Sequence, residues 1–107
     1  MRTILLMAFL LFAPSNVLNK DVADDVVVMQ INARWNKHHN IDLKELKGCK
    51  VEFGWLEDQP KSLQKQVQTV PIVVIFKNNK PIRQWAADIS FTLKIDLEEV
   101  QSVVDSI

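Results

Sequence analysis

One thiol and two adjacent imidazoles are the side chains in this sequence whose types could carry out chemistry at a site. Cys49 is the single cysteine, so the chain can form neither an internal disulfide nor a Cys-X-X-Cys redox or zinc motif. His38 and His39 are neighbours in sequence, and neighbours point about 100° apart on a helix or to opposite faces of a strand. The two imidazoles are therefore poorly placed to share a metal ion, and a weak zinc or copper site that includes Asp42 stays an alternative.

The sequence indicates no catalytic group around these side chains. Neither histidine has a serine or cysteine at the spacing of a nucleophile–base pair, so we assign no catalytic residue, no metal and no cofactor. Cys49 alternates with Val51 and Phe53, which predicts a core thiol, because free cysteine is among the most buried residue types. The alternative is a single reactive thiol or an intermolecular disulfide, for which an unpaired cysteine in an exported protein is the usual signal.

The composition is that of one small domain with a buried core. The 107 residues lie within the size of a single domain. Hydrophobic residues make up 48% and charged residues 24% of the chain, which excludes disorder as the main state. Thirteen Lys and Arg balance thirteen Asp and Glu, so no basic field is available for a phosphate backbone. Nucleic acid is therefore not expected as a partner.

The first residues have the pattern of a secretory signal peptide. Arg2 supplies a positive charge, residues 4–12 form an uncharged apolar run, and small residues follow at a cleavage window. The pattern predicts a signal peptide over residues 1–15, a single domain over residues 16–107, and export to a periplasm, a lumen or the outside. The run is shorter than the ~20 residues of a membrane span. An uncleaved, membrane-anchored form and a buried first strand over residues 4–12 are the alternatives.

Hydrophobic patterning predicts four core strands. Residues 26–31 are β-branched and almost wholly apolar, as in a central strand covered on both faces. Residues 49–55 alternate between apolar and polar, which predicts a strand with one apolar face. Residues 72–76 form another buried strand. The asparagines at 78–79 join it to a strand over residues 81–85, because asparagine tolerates the positive φ of a tight hairpin.

Capping signals predict three helices. Asp42 and Glu45 have the spacing of a capping box, which predicts a short helix over residues 42–47 that stops at Gly48 and follows a loop over residues 36–41. A second helix is expected to open with the cap and proline of residues 58–60. The inner face of this helix carries Leu63 and Val67.

The end of the chain is predicted to hold a further strand and the last helix. Residues 89–95 alternate between apolar and polar, which predicts an extension of the sheet. Asp96 and Glu99 have the spacing of a second capping box. The helix that follows has an apolar face formed by Leu97, Val100, Val103, Val104 and Ile107.

This order of elements predicts an α/β domain with a mixed sheet, and its motifs resemble those of the thioredoxin fold. Residues 31–35 resemble the strand end and tryptophan before the family's active-site turn, residues 69–71 its cis-proline loop, and residues 76–81 its hairpin. The resemblance covers residues 25–107. It implies a three-layer sandwich of about four strands with helices on both faces. A fainter likeness is to small thioredoxin-like proteins of viruses of marine cyanobacteria.

The chain departs from the family at the residues that would carry redox chemistry. Where the family has Trp-Cys-Gly-Pro-Cys, this sequence reads Trp35-Asn36-Lys37-His38-His39, so Asn36 stands in place of the attacking cysteine and His39 in place of the resolving one. Neither an amide nor an imidazole can form the sulfur bond of the mixed disulfide. Dithiol exchange at this position is therefore excluded.

The resemblance implies a binding surface instead. It implies a cis peptide bond at Pro71 beside Trp35, where the family docks an extended peptide by strand-like hydrogen bonds. We predict a protein- or peptide-binding surface formed by Trp35, Asn36, Lys37, His38, His39, Val70 and Pro71. The alternatives are a fold whose interaction site lies elsewhere, an oxidoreductase-related function of Cys49 as a single thiol with glutathione, and metal carriage by the two histidines. The sequence leaves the oligomeric state open.

Overall fold

The computed structural model describes residues 26–107, which form four strands and two α-helices. In chain order these are β1 Val26–Asn32, β2 Lys50–Trp55, α1 Lys61–Gln66, β3 Ile72–Lys77, β4 Lys80–Ala86 and α2 Leu97–Ser106. Two 3-10 segments, Arg34–His39 and Leu56–Asp58, follow β1 and β2. The predicted signal peptide over residues 1–15 and the alternative strand over residues 4–12 lie outside the described residues. Within the described range, no helix is long and apolar enough to cross a membrane.

The four strands form one mixed sheet in the order β2-β1-β3-β4. β1 pairs with β2 in parallel and with β3 in antiparallel orientation, and β3 and β4 form an antiparallel hairpin. Both residues of the hairpin turn have positive φ, 53° at Asn78 and 70° at Asn79, as a type I′ turn requires. The predicted mixed sheet, its parallel first pair and its hairpin are confirmed.

The core lies in two layers, one on each face of the sheet. The central strands β1 and β3 are buried on both faces, because almost all of their side chains are apolar and can face a packed layer. The first cluster, which packs against α1, consists of Met29, Ile31, Leu63, Ile72, Val74 and Phe76. The second cluster, which packs against α2, consists of Val26, Val28, Leu43, Leu46, Val73, Ile75, Val100 and Val104. The prediction of helices on both faces is confirmed.

The two α-helices present the predicted inner faces but begin differently. In α1, Leu63 is buried and Val67 packs beside it. This helix begins after Pro60, and the predicted cap at Asp58 is wrong. The carboxylate of Asp58 accepts hydrogen bonds from the guanidinium of Arg34 instead.

The cap of α2 is confirmed only at Asp96. The carboxylate of Asp96 accepts from the N–H of Glu98 at 3.0 Å. The predicted reciprocal role of Glu99 is wrong, since its carboxylate pairs with Arg83 at 2.6 Å. Val100 and Val104 are buried on the inner face of this helix, as predicted.

The predicted helix over residues 42–47 is wrong. The carboxylate of Asp42 accepts from the N–H of Lys44 at 3.0 Å, and the carbonyl of Leu43 accepts from the N–H of Leu46 at 3.2 Å. These bonds close a tight turn, and a turn is enough to bring both leucines into the second cluster. The bond from the N–H of Lys44 to the carboxylate of Asp42 is a local side-chain-to-backbone bond of the kind that competes with a helix, so the capping signal is met by a turn.

The predicted loop over residues 36–41 is also wrong, because Arg34–His39 is regular. It consists of two short 3-10 turns that meet at Asn36, whose φ of −113° and ψ of 20° are not helical. The side chain of Gln30 then pairs with the backbone of Ile41: it donates to the carbonyl and accepts from the N–H of that residue, both at 2.8 Å.

The predicted strand over residues 89–95 is wrong. The carbonyl of Asp88 accepts from the N–H of Phe91 at 2.9 Å, and Phe91 has a φ of 61°, which a strand does not contain. The carboxylate of Asp88 accepts from the hydroxyl and the N–H of Ser90, and these bonds lower the pKa of Asp88. Ile89 is 88% exposed, whereas Leu93 and Ile95 pack against the second cluster, so only the second half of the apolar alternation marks a buried face. We call residues 88–92 the covering turn.

β2 is an edge strand whose apolar face is only half covered. Val51 pairs with Val28 of the second cluster, so the apolar side chains of β2 lie on the face of the sheet that carries α2. Val51 and Phe53 are nevertheless 42% and 43% exposed.

Candidate functional site

The residues predicted to form a site meet at the C-terminal end of β1. The segment Arg34–His39 begins two residues after this end, and Pro71 directly precedes β3, the antiparallel neighbour of β1. The peptide bond between Val70 and Pro71 is cis. Nδ2 of Asn36 donates to the carbonyl oxygen of Val70 at 3.2 Å. The structure thus places Asn36 against the cis-proline loop.

Three asparagines at a spacing of four residues form a hydrogen-bonded group, which we call the amide cluster: Asn32, Asn36 and Asn40. Nδ2 of Asn36 donates to Oδ1 of Asn32, and Nδ2 of Asn32 donates to the backbone carbonyl of Asn36, both at 3.0 Å. Nδ2 of Asn32 also donates to Oδ1 of Asn40. Asn32 and Asn36 are buried. Because buried amides with their partners in place specify one arrangement of a site, Asn36 acts as a cross-link.

The covering turn contacts the Arg34–His39 segment through Phe91. The carbonyl oxygen of Phe91 accepts from Nδ2 of Asn36 at 3.1 Å and from Nδ1 of His39 at 2.8 Å. The phenyl ring meets the indole of Trp35 edge to face, with ring centroids 5.0 Å apart, a geometry that aromatic pairs prefer. A positive φ is uncommon for a bulky residue, so these contacts hold Phe91 in a backbone conformation that it does not favour.

A second set of hydrogen bonds joins the chain after β4 to the cis-proline loop. The N–H of Ala87 donates to the carbonyl of Pro71 at 3.1 Å, and Oγ1 of Thr69 donates to the carbonyl of Ala87 at 2.7 Å. Val70 and Pro71 are both buried. The cis-proline loop is therefore an inner layer of the site.

The outer layer of the site consists of Trp35 and the polar residues that follow it. The side chain of Trp35 is 60% exposed, and Lys37, His38 and His39 are exposed as well. The two imidazole rings lie 6.1 Å apart and perpendicular to each other. In the part of the chain that the structure describes, no three His, Cys, Asp or Glu side chains form a group that could hold a metal ion.

Arg34 is a site residue that no sequence pattern singles out. Its guanidinium donates to both carboxylate oxygens of Asp58, at 3.1 and 2.9 Å, and its N–H donates to the carboxylate of Glu57 at 3.0 Å. The guanidinium also lies 5.4 Å from the ring centroid of Trp55. The hydrogen bonds to Asp58 raise the pKa of Arg34. This exposed group contributes little stability, but it fixes the orientation of the segment that carries Trp35.

The amide cluster could have been predicted from the sequence, whereas the role of Phe91 could not. The amide cluster has a signal, the spacing of four residues between Asn32, Asn36 and Asn40, which could have shown that the three amides meet. Phe91 has no such signal, because it is 55 residues away from Asn36 in the chain and lies in a segment whose alternation indicates a strand.

Cys49 lies at the opposite end of the sheet from the cis-proline loop. It directly precedes β2 at the level where β1 starts, whereas Pro71 directly precedes β3 at the level where β1 ends. These levels are about 20 Å apart along the strands, at about 3.3 Å per residue. The thiol is half-buried against the second cluster, and burial raises the pKa of Cys49.

Structure comparison identifies thioredoxins as similar folds. A mutant thioredoxin from Halobacterium salinarum has a TM-score of 0.61 at 16% identity, over 86% of this chain and 82% of that chain. Thioredoxin-2 of a malaria parasite, a component of its protein secretion machinery, has a TM-score of 0.53 at 12% identity, over 78% of this chain and 84% of that chain. No protein-family model and no curated protein matches the sequence. The chain has a thioredoxin-like fold.

Proposed function

We propose that this chain is a binding domain without dithiol chemistry, which holds an extended segment of another protein against Trp35 and Phe91, the aromatic pair. The observation that carries the proposal is the indole of Trp35, which is 60% exposed and held edge to face on the phenyl ring. A large aromatic ring kept on the surface in one orientation is typical of the anchor residue of a binding surface.

The residues around the aromatic pair suit a polypeptide partner. Lys37 and His38 are exposed beside Trp35, and their side chains can donate hydrogen bonds to the carbonyl or carboxylate oxygens of a bound segment. An apolar ring with a polar rim is the usual composition of a protein-binding patch. The chemistry of this surface therefore favours an extended peptide with an apolar side chain at its centre.

The inner layer supports this surface by keeping it rigid. Asn36 links the segment of Trp35 both to the carbonyl of Val70 and to the carbonyl of Phe91. Less conformational freedom is lost on binding when the contact residues are already fixed. In this proposal Val70 and Pro71 position the aromatic pair from beneath, and the partner contacts the rings and their rim.

The proposed function does not use Cys49. A thiol whose pKa is raised by burial is a poor nucleophile near neutral pH, because the thiolate is the reactive form. Its place at the far end of the sheet also separates it from a segment bound at the aromatic pair. The single-thiol alternative therefore gains no support from the position of this residue.

Selection of random extended peptides against the full-length protein tests the proposal. The selected peptides are measured by titration calorimetry with the wild type, Trp35→Ala and Ile82→Ala. We expect Trp35→Ala to weaken binding by about tenfold or more, since truncation of a central aromatic anchor has an effect of this size. Ile82, a large exposed apolar residue on β4, is the matched control and should leave the affinity unchanged.

Cys49→Ser separates this function from the single-thiol alternative. We expect it to bind the selected peptides as the wild type does, under reducing and non-reducing conditions alike. Equal affinity of the wild type and Trp35→Ala, or a selection that yields no peptide tighter than about 1 mM, would contradict the proposal.

A further inference from the structure

Among the described residues, β2 is an edge strand of the sheet, and its outer edge could pair with another strand. Its inner edge pairs with β1, and no strand within residues 26–107 pairs with its outer edge. An edge of this kind presents a row of N–H and C=O groups to any strand that can align with it. Lys50–Trp55 contains no proline and its pairing with β1 has no register shift. It lacks two of the devices by which edge strands avoid pairing.

The exposed apolar side chains of β2 lie on one face of this edge. Val51 and Phe53 are 42% and 43% exposed and lie on the face of the sheet that carries the second cluster. The ring of Phe53 packs edge to face on Trp55, with centroids 4.7 Å apart, so the face is ordered. A strand paired with this edge would bring its own side chains against Val51 and Phe53.

The charged residues of β2 determine which strand, in which register, can pair favourably with its outer edge. Lys50 and Glu52 alternate with the apolar residues and lie on the other face of the strand. In an antiparallel pair of two copies centred on Val51, Lys50 of each copy lies opposite Glu52 of the other, and Val51 lies opposite Val51. Shifting the centre by one residue places Lys50 opposite Lys50 or Glu52 opposite Glu52, and like charges in such pairs repel.

We propose that the β2 edge pairs with the same edge of a second copy of this chain, in the antiparallel register centred on Val51. The two sheets then form one continuous sheet of eight strands about a two-fold axis perpendicular to it. This interface is isologous, as in most homodimers. It lies at the β2 edge, so it is independent of the function proposed for the aromatic pair.

The register has consequences for affinity and for Cys49. A single pair of short strands gives an interface at the small end of the range for specific complexes, so we expect a dimer that dissociates in the micromolar to millimolar range.

Cys49 lies opposite Phe53 of the second copy, which sets the two thiols about 13 Å apart along the strands at about 3.3 Å per residue. Since a disulfide needs Cα atoms within about 7 Å, the dimer is not disulfide-linked.

Sedimentation equilibrium of the full-length protein over a range of concentrations tests this interface by charge reversal. We expect Lys50→Glu and Glu52→Lys each to weaken the dimer by about tenfold or more, because each creates two like-charged pairs. The double variant K50E/E52K restores opposite charges and should recover the wild-type constant to within about threefold. Lys80→Glu, a charge reversal on the other edge strand, is the matched control and should change nothing.

Three outcomes would overturn the proposal. A dimer whose constant is unchanged in both single variants uses another surface. A monomer at every concentration with slowly exchanging β2 amides has this edge covered by its own residues 1–25, and a monomer with rapidly exchanging β2 amides leaves it open. Circular dichroism of each variant checks that the fold is retained, and the recovery in K50E/E52K cannot arise from unfolding.

Discussion

The two ends of β1 are closed by different chemistry. At its C-terminal end, buried amides tie the Arg34–His39 segment to the cis-proline loop and to the covering turn. At its N-terminal end, the half-buried thiol of Cys49 packs against the second cluster. We refer to these as the amide end and the thiol end.

The difference shows that this thioredoxin-like fold places its buried amides and its single thiol at opposite ends of the sheet. The resemblance places Asn36 where the family has its attacking cysteine, and Asn36 is the residue that holds three segments together. The cysteine that this chain does contain lies half-buried against an apolar cluster. Side-chain hydrogen bonds thus rigidify the position of Asn36, as the proposed binding function requires.

The largest effect is expected from Asn36→Ala, which removes the cross-link of the amide end. Nδ2 of Asn36 donates hydrogen bonds to Oδ1 of Asn32 and to the backbone carbonyls of Val70 and Phe91. Buried acceptors that lose their donor are unfavourable, so we expect the free energy of unfolding to fall by about 2–4 kcal/mol. Urea denaturation followed by circular dichroism measures it.

The neighbouring residue supplies the control for this variant. Lys37→Ala removes an exposed side chain from the same segment and should change the free energy of unfolding by less than about 0.5 kcal/mol. If Asn36→Ala is as stable as Lys37→Ala, the amide end is not held by hydrogen bonds and the contrast with the thiol end disappears.

A smaller effect is expected at Phe91, where loss of the ring and relief of the backbone oppose each other. Phe91→Ala loses the edge-to-face contact with Trp35, which is expected to lower the free energy of unfolding by about 1–2 kcal/mol. Phe91→Gly loses the same ring but tolerates the φ of 61°, so it should be more stable than Phe91→Ala by about 0.5–1 kcal/mol. Urea midpoints of the two variants give the difference directly, and an alanine variant at least as stable as the glycine variant would show that the covering turn is not strained.

The smallest effect is expected at the thiol end, in the reactivity of Cys49 with a thiol reagent over a pH series. Burial raises the pKa of Cys49 above its ordinary value of 9.0, so the native protein should react about threefold to tenfold more slowly than the unfolded chain at neutral pH. The raised pKa contributes stability that is full below pH 9.0 and is lost as the pH rises through the pKa of the folded state. In Lys37→Cys/Cys49→Ser the thiol is exposed and should react at the unfolded rate. A Cys49 that reacts as fast as this control would make the thiol end a reactive site.

The strands could be predicted because their signals are local and agree with the core. The β-branched runs of β1 and β3 are buried as their composition indicates, and Asn78 and Asn79 have the positive φ that a tight hairpin needs. The turn over residues 42–47 could not be predicted, because its capping signal is shared by helices and turns and because Leu43 and Leu46 pack against residues far away in sequence. Contacts of this kind leave no periodic trace.

The site could be predicted in part, for the same reason. The resemblance brought Trp35, Asn36 and Pro71 to one place, and the structure places them together. It did not indicate that Asn36 is buried, since that depends on a covering turn with no counterpart among the motifs that carry the resemblance. The signal peptide, the export of the chain and the partner stay predictions.

The two-residue turn of the hairpin also determines where folding is expected to begin. β3 and β4 meet after closing Asn78 and Asn79, whereas β1 and β2 must close residues 33–49. Since the entropy lost on closing a loop grows with the logarithm of its length, the longer closure is less favourable by about 2 kcal/mol. The β3–β4 hairpin is therefore the natural folding nucleus, onto which the parallel pair condenses later.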